Sequence, residues 1–229
     1  MSCGAVVPAA GRGQRLGGRD KALVPLAGRP ALAWVLEALD RSGTVDMLVV
    51  VTNEANSAAV EALCCSLSLT VPVRLTLGGA ERALSVRAGV EALDPHLRFV
   101  LVHDAARPLV TTELIQRAVE AAQRHGAVVA AVPVVDTIKQ VTLDGRVVTT
   151  PDRASLVAAQ TPQVFRLDWL REAYQHVGAG LATATDEAVL LERAGFPVYV
   201  IPGDPENLKV TTPLDVAIAE LVLARRGQR

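Results

Sequence analysis

The stretch that decides the fold is AVVPAAGRGQRLGGRDK, residues 5–21. Its apolar start, residues 5–7, predicts a buried strand that ends at Pro8. The loop that follows contains four glycines and four cations, Arg12, Arg15, Arg19 and Lys21. Glycine lets backbone N–H groups approach an anion closely, and the cations offset the charge of that anion. The loop is therefore suited to binding a polyphosphate.

Two better-known phosphate-binding loops do not match this stretch. The dinucleotide-binding fingerprint needs a third small residue where Leu16 stands. The Walker loop needs Lys and then Ser or Thr where Arg19 and Asp20 stand. The alternative to an anion site is a flexible Gly/Arg turn without a ligand. The position of the loop favours the anion site, because the carboxyl ends of strands form the binding crevice of α/β proteins.

The composition limits the class of protein. The chain has 229 residues, 50% of them hydrophobic and 21% charged, which fits one α/β domain with an ample core. A net charge of −1 argues against a nucleic-acid or membrane surface. No apolar run is long enough to span a membrane and no signal peptide is evident, so we expect a cytoplasmic protein. Cys3, Cys64 and Cys65 predict buried small hydrophobes rather than disulfides or a zinc site.

Strands and helices alternate along most of the chain. Predicted strands cover residues 5–7, 45–51, 73–77, 99–102, 127–132 and 198–201. Predicted helices cover residues 31–40, 57–65, 112–125, 167–177, 185–194 and 213–225. This alternation predicts an α/β fold with a doubly wound, mostly parallel, Rossmann-like sheet that helices cover on both faces.

The alternation breaks at residues 137–150, where two β-branched runs are joined by Asp144-Gly145. This pattern predicts a β-hairpin, and we interpret residues 136–159 as an arm on a single domain of residues 1–229. An isolated hairpin is marginal in water, so we expect the arm to pack on the same arm of a second subunit in a homodimer. The alternative is a hairpin that folds over its own domain.

Polar residues at the ends of later strands are candidates for ligand contact. Gly78 and Gly79 open a second glycine turn, which predicts either base or ribose recognition or a plain turn before a helix. Asp104 and Arg107 follow the fourth main strand, where they contact metal, ribose or phosphate, or else pair with each other. His103 is interpreted as a hydrogen-bonded packing residue.

Two further sites near the carboxyl end carry charge. Lys209 lies between apolar residues, which is costly unless its ammonium meets an anion. The alternative for Lys209 is the exposed face of a short edge strand. Asp186 and Glu187 begin the predicted helix of residues 185–194 and are interpreted as capping residues, with Gly195 beyond the end of that helix.

Eight short motifs together resemble one known family. They are PAAGxGxR at 8–15 with Lys21, GGxERxxSV at 78–86, VHDAARP at 102–108, DTIK at 136–139, DR at 152–153, TPQ at 161–163, TDEA at 185–188 and NLKVT at 207–211. In this order they are similar to the motifs of 2-C-methyl-D-erythritol 4-phosphate cytidylyltransferases. The resemblance extends over nearly the whole chain.

The resemblance implies a nucleotidyltransferase fold and a specific reaction. CMP would pass from CTP to 2-C-methyl-D-erythritol 4-phosphate, with release of pyrophosphate, in non-mevalonate isoprenoid synthesis. A divalent cation such as Mg²⁺ would act on the triphosphate, and its protein ligands stay open, with Asp104 as a candidate. The family's dimers form through the β-arm.

The resemblance also assigns residues to the substrates. By this match Arg15 and Lys21 stabilise the transition state. The positions matched to CTP binding are Ala9, Ala10, Gly11, Gly79 and Ser85. The positions matched to the polyol phosphate are Asp104, Arg107, Thr161 and Lys209, joined by Thr137 and Arg153 from the arm of the other subunit. Ala80 and Leu84 depart from polar residues of the family, and Asp20 stands where proline is common, so the contacts to cytosine and ribose stay open.

Three other functions are kept as alternatives. The first is CMP transfer to ribitol 5-phosphate, because both acceptors are phosphorylated polyols. The second is a nucleotide-binding protein without catalysis, which the retained cations Arg15, Lys21 and Lys209 disfavour. The third is a dinucleotide-dependent oxidoreductase, which Leu16 disfavours, as does the lack of a suitably placed acid after the second strand.

Overall fold

The computed structural model describes residues 2–13, 18–177 and 184–227. Its strands are β1 (Cys3–Pro8), β2 (Arg12–Gly13), β3 (Arg19–Asp20), β4 (Pro25–Leu26), β5 (Arg29–Pro30), β6 (Met47–Thr52), β7 (Val73–Leu77), β8 (Phe99–Val102), β9 (Ala127–Pro133), β10 (Gln140–Val141), β11 (Val147–Thr149), β12 (Val157–Arg166) and β13 (Tyr199–Pro202). Its helices are α1 (Ala31–Arg41), α2 (Ser57–Ser66), α3 (Arg82–Glu91), α4 (Thr112–His125), α5 (Leu167–Val177), α6 (Glu187–Arg193) and α7 (Pro213–Gly227).

Seven strands form the central sheet, in the order β13-β9-β12-β8-β1-β6-β7. Strands β8, β1, β6 and β7 run parallel, and β13 runs parallel to β9. Strand β12 runs antiparallel to both of its neighbours. The mostly parallel sheet is therefore confirmed, with one reversal. The reversal has a simple cause: the chain leaves the sheet at the end of β9 to form the arm and returns through β12 from that same edge.

The core lies on both faces of the sheet, as the sequence predicts. Val6 packs into one cluster with residues of α3 and α5, whereas Val7 packs into the other with residues of α1 and α4. Neighbouring residues of a strand point to opposite faces, so a strand that is apolar throughout is buried on both sides. Val6 and Val7 are both fully buried.

Local signals set the ends of two helices. Helix α4 begins after Thr111, whose side chain accepts a hydrogen bond from Leu114 N, and ends at Gly126 with φ 85°. Helix α6 begins after Asp186, which accepts from Val189 N. It therefore starts two residues later than the predicted helix of residues 185–194. Among the described residues, no helix has the length and apolar character of a membrane span.

The arm contains the predicted hairpin. Strands β10 and β11 pair antiparallel, and Gly145 has φ 87° in the connecting turn. The paired strands are shorter than the runs that predicted them. Apolar side chains of the arm are exposed, among them Val141, Leu143 and Val148. The hairpin is confirmed, and its use as a dimer interface stays a prediction.

Candidate active site

Two clefts open at the carboxyl ends of the parallel strands. The first cleft has an empty volume of about 740 Å³, and the second about 540 Å³. The predicted residues that line the first cleft are Ala9, Ala10, Gly11, Lys21, Gly79 and Ser85. Those that line the second cleft are Asp104, Arg107, Thr161 and Lys209. Arg82, Asp104 and Lys209 line both clefts and form the wall between them.

The loop after β1 is held open by side chains from the next strand-to-helix turn. Asn56 Nδ2 donates to Ala9 O, and Asn53 Nδ2 donates to Ala10 O, each at 2.9 Å. The carboxylate of Asp20 accepts from Asn56 Nδ2 at 2.5 Å and from the backbone N of Ala22 at 2.9 Å. These bonds give Asp20 a structural role. No local sequence pattern identifies the two asparagines, because the carbonyls that they bind lie more than forty residues away in the chain.

Of the two predicted transition-state residues of this loop, the structure describes one. Lys21 lines the first cleft and has an interaction with another part of the chain. Arg15, the other predicted transition-state residue, lies outside the described residues.

The second glycine turn is closely packed against α3. A Cβ on Gly79 would lie 2.6 Å from Leu84 Cβ, and one on Gly78 would lie 2.5 Å from Ser85 Oγ. The hydroxyl of Ser85 donates to Gly79 O at 3.2 Å and to Glu81 O at 3.1 Å. A side chain at either glycine would displace this turn, so Leu84 and Ser85 explain the glycine pair.

Asp104 is the centre of the wall between the clefts. Its Oδ1 accepts from Arg82 Nε at 3.1 Å, and its Oδ2 accepts from Lys209 Nζ at 2.7 Å. Arg107 Nε lies farther away, at 3.9 Å from Oδ2. These cations hold the pKa of the Asp104 carboxyl well below its usual range, although burial opposes the shift. Lys209 lies outside any strand, between β13 and α7, and its ammonium contacts the Asp104 carboxylate, so the edge-strand alternative is wrong.

A second carboxylate extends this wall into the core. Glu187 is fully buried, and both of its oxygens accept from Arg82 Nη1 at 3.0 Å. Burial raises the pKa of Glu187, and the contact with Arg82 opposes that rise. The sequence analysis interpreted Asp186 and Glu187 as caps, but only Asp186 caps α6. Both Arg82 and Glu187 lie within the family motifs, which was the available signal.

A buried chain of hydrogen bonds fixes the backbone at Asp104. His103 Nε2 lies 3.1 Å from Arg107 O, so this nitrogen carries the proton. His103 Nδ1 then accepts from the hydroxyl of Thr161 at 3.1 Å, and Thr161 Oγ1 accepts from Asp104 N. Burial lowers the pKa of His103 to about 4, so the ring is neutral at pH 7. The interpretation of His103 as a packing residue is confirmed.

The segment that carries Lys209 is tied to β12. Asn207 Nδ2 donates to Thr161 O at 2.7 Å, and Arg107 Nη1 donates to Asn207 O at 2.8 Å. Gln160 Nε2 donates to Asp204 O at 2.9 Å. These side-chain hydrogen bonds therefore fix the backbone segments that border the second cleft.

The arm residues lie apart from this assembly. Thr137 and Arg153 are exposed, and neither is among the described residues that line the two clefts. Arg153 Nη1 donates at 2.7 Å to O of Val135, the residue before the arm. The structure of one chain thus brings together the predicted residues of its body but not those of its arm.

Comparison with known proteins gives one consistent answer. A family model described as IspD, 2-C-methyl-D-erythritol 4-phosphate cytidylyltransferase, matches residues 3–225. A protein of that name from Synechococcus elongatus is 46% identical, with 96% of each chain covered. One from Nocardia farcinica is 48% identical over 97% of this chain and 94% of its own.

Solved structures agree with the sequence matches. The crystal structure of 4-diphosphocytidyl-2C-methyl-D-erythritol synthase from Anaerococcus prevotii superposes with a TM-score of 0.87 at 29% identity, covering 98% of this chain and 99% of that one. The 2-C-methyl-D-erythritol 4-phosphate cytidylyltransferase from Thermus thermophilus gives 0.78 at 33% identity, covering 98% and 100%.

Proposed function

The chain belongs to the 2-C-methyl-D-erythritol 4-phosphate cytidylyltransferase family, and on that premise we propose that its two clefts divide the two substrates between them. The enzyme transfers CMP from CTP to 2-C-methyl-D-erythritol 4-phosphate and releases pyrophosphate. This assignment replaces the three alternative functions that the sequence left open.

We assign CTP to the first cleft and the polyol phosphate to the second. One observation carries this assignment: all five residues matched to CTP line the first cleft, and the four body residues matched to the polyol phosphate line the second. Two of these four, Asp104 and Lys209, also form with Arg82 the wall that the clefts share. A shared wall lets two anionic substrates lie side by side in a fixed orientation. Such alignment is a large part of catalysis when two reactants must meet.

The reaction needs no general base in this arrangement. An oxygen of the acceptor phosphate is already ionised and forms the new bond to the α-phosphorus of CTP. The bond from that phosphorus to the bridging oxygen of pyrophosphate breaks, and pyrophosphate leaves with the electron pair. The protein has to orient the anions and offset the charge that develops. We propose that Lys21, together with Arg15, stabilises the charge on the α-phosphate and the departing pyrophosphate.

The charges of the second cleft support a contribution from a partner subunit. Its cations are Arg82, Arg107 and Lys209, and its carboxylates are Asp104, Asp186 and the underlying Glu187. Among the described residues the carboxylates offset much of this positive charge, whereas a phosphate monoester carries a charge of about −1.5 to −2 at neutral pH. A further cation would strengthen binding of the acceptor, and Arg153 from the arm of a second subunit would supply it. Thr137 would approach from the same arm.

The exposed apolar side chains of the arm support the same dimer. Val141, Leu143, Val147 and Val148 are all exposed in the single chain. Clustered exposed apolar groups commonly mark an interface, and two-fold pairing of identical arms would cover them. We therefore propose a homodimer that forms through the 136–159 arm and completes both sites.

We propose that Mg²⁺ arrives with the nucleotide. Within the described residues, no group of three His, Cys, Asp or Glu side chains could hold a metal ion. Both oxygens of Asp104 already contact cations. Mg²⁺ commonly binds through substrate phosphates with only one or two carboxylates, so the phosphate oxygens of CTP would be its main ligands, and Asp104 could join them only by giving up one of these contacts. When bound, the ion would neutralise charge on the triphosphate.

We place the enzyme in the cytoplasm. Cys3, Cys64 and Cys65 are free thiols. Thiols usually stay reduced in that compartment.

Binding and kinetics with two variants test the division of substrates. Gly79→Val would displace the turn of the first cleft, because its side chain would collide with Leu84. We expect it to weaken CTP binding measured by calorimetry. Lys209→Met should raise KM for the polyol phosphate about tenfold to a hundredfold, as expected for loss of a charged hydrogen bond, and should weaken CTP binding by a smaller factor, because Lys209 also lines the first cleft. Pyrophosphate release should be strong with 2-C-methyl-D-erythritol 4-phosphate and weak with ribitol 5-phosphate. Loss of CTP binding in Lys209→Met with an unchanged acceptor KM would overturn the assignment.

A further inference from the structure

Arg82 and Glu187 form a buried ion pair to which no function has yet been given. Arg82 is the first residue of α3, and Glu187 is the first residue of α6. The Glu187 side chain has no exposed surface, and that of Arg82 is 27% exposed. One nitrogen of Arg82 bonds both oxygens of Glu187, so the carboxylate is fully engaged on this side.

This pair continues into the wall between the clefts. Arg82 uses Nη1 for Glu187 and Nε for Asp104, and Asp104 in turn accepts from Lys209. Four alternating charges therefore form a connected series, which we call the charge chain: Glu187, Arg82, Asp104 and Lys209. Its inner end is buried in the core, and its outer end, Lys209, has a side chain that is 39% exposed.

Stability alone does not explain such a series. A buried ion pair loses much of its Coulombic gain to desolvation, and apolar residues of similar size often give equal or greater stability. Helix α6 also has apolar anchors, since Leu190 and Leu191 are fully buried. The pair instead fixes the orientation of the Arg82 guanidinium. Arg82 presents a rigid fork, and with Nη1 held by Glu187 its Nε is aimed at Asp104.

We propose that Arg82 and Glu187 are positioning residues for the acceptor phosphate. Glu187 fixes Arg82, Arg82 fixes Asp104, and Asp104 holds the ammonium of Lys209 at the second cleft. This inference rests on the proposed assignment of that cleft to the polyol phosphate. It predicts that disrupting the inner end of the charge chain impairs use of the acceptor, although Glu187 lies beneath the cleft and is fully buried.

A double variant separates positioning from stability. Arg82→Met alone would leave two carboxylates without their shared cation and so endanger folding. Arg82→Met combined with Glu187→Leu removes both charges and fills the space with apolar side chains. We expect its melting temperature to stay near that of the wild type. We expect its KM for 2-C-methyl-D-erythritol 4-phosphate to rise about tenfold or more, while its Kd for CTP by calorimetry rises by a smaller factor, since Arg82 also lines the first cleft.

Single substitutions provide the controls. Glu187→Gln keeps an oxygen for Arg82 and should show a smaller rise in acceptor KM than the double variant. Arg87→Met removes an exposed pair with Glu91 on the same helix α3, and should leave both substrates unaffected. Lys209→Met is the reference for an impaired second cleft.

The outcomes distinguish the two proposals. A stable double variant whose acceptor KM rises by a larger factor than its Kd for CTP supports positioning. A stable double variant with an unchanged acceptor KM overturns it, provided that Lys209→Met is impaired. Equal loss for both substrates also overturns it. If the double variant does not fold, Glu187→Gln decides: an acceptor KM equal to that of the wild type counts against positioning. An unaffected Lys209→Met would instead refute the cleft assignment itself.

Discussion

The two parts of the molecule assigned to the acceptor phosphate are built in opposite ways. Three of the four residues of the charge chain are buried or partly buried, and each of its side chains is held by one or two others. The arm is exposed, and the Arg153 side chain donates to the carbonyl of Val135, the residue before the arm. A site formed within the core is preorganised by folding. A site formed by an exposed arm needs a partner surface, so substitutions in the two parts should differ in how they affect stability and binding.

The largest effect on stability should come from the centre of the charge chain. Asp104→Asn would leave Arg82, Arg107 and Lys209 close together without their shared carboxylate. We expect the free energy of unfolding to fall by about 3–5 kcal/mol, as for other broken buried ion pairs. Denaturant titration measures this change. The exposed pair of Arg166 and Asp168 is the control, and Asp168→Asn should cost less than about 1 kcal/mol.

The largest effect on the reaction rate should come from Lys21, which belongs neither to the charge chain nor to the arm. Lys21 lines the first cleft, where the leaving pyrophosphate is expected. Lys21→Ala should lower kcat by about 10²–10³, the usual cost of one transition-state donor. Steady-state pyrophosphate release measures the rate. Turnover close to that of the wild type would remove Lys21 from the mechanism.

The dependence of folding stability on pH tests the buried surroundings of His103, the residue before Asp104. His103 has a pKa of about 4 in the folded protein, below the ordinary value of 6.5. Between these pH values the unfolded chain binds more protons at this residue, so the contribution of His103 to the free energy of unfolding should fall as pH decreases from about 6.5 towards 4. At pH 5 this loss amounts to about 2 kcal/mol. Glu187, whose pKa burial raises, contributes with the opposite sign, so the effect of His103 is measured against a variant that lacks it.

The matched variants are His103→Gln and, at an exposed site, His96→Gln. On going from pH 7 to pH 5 the wild type should lose about 2 kcal/mol of stability relative to His103→Gln, and His96→Gln should change as the wild type does. Identical pH dependence in all three proteins would show that His103 is not held neutral by the fold.

The smallest effect should come from the arm. Arg153→Ala should raise KM for the polyol phosphate about tenfold, because one charged hydrogen bond is lost. It should change neither the melting temperature nor CTP binding, since the side chain is exposed. Arg146→Ala, on the same hairpin, is the control and should behave as the wild type. A fall in CTP affinity in Arg153→Ala would show that the arm has been assigned to the wrong substrate.

The sequence predicted the buried strands and most helix ends well, because these depend on neighbouring residues. The strand of residues 99–102 and the helix of residues 112–125 have the predicted bounds. The Gly79 turn, Asp104 and Lys209 were also identified, from their places after strands and from the resemblance. These are features that a local pattern contains.

What the sequence missed depends on contacts between distant parts of the chain. Arg82 and Glu187 are 105 residues apart, and nothing near Glu187 distinguishes a buried ion-pair partner from a capping carboxylate. The reversed direction of β12 was missed for a similar reason, since it follows from where the arm leaves the sheet. The partners of Asn53 and Asn56 likewise become neighbours only when β1 and β6 pair.

The most direct test of a site shared between two subunits is activity in mixed dimers. Lys21→Ala and Arg153→Glu chains should each be poorly active alone when the acceptor is kept below its KM. If Arg153 serves the site of the other subunit, each mixed dimer contains one complete site. Random exchange makes half of the dimers mixed, so the mixture should recover about a quarter of wild-type activity. A mixture no more active than the average of the two variants would contradict the shared site.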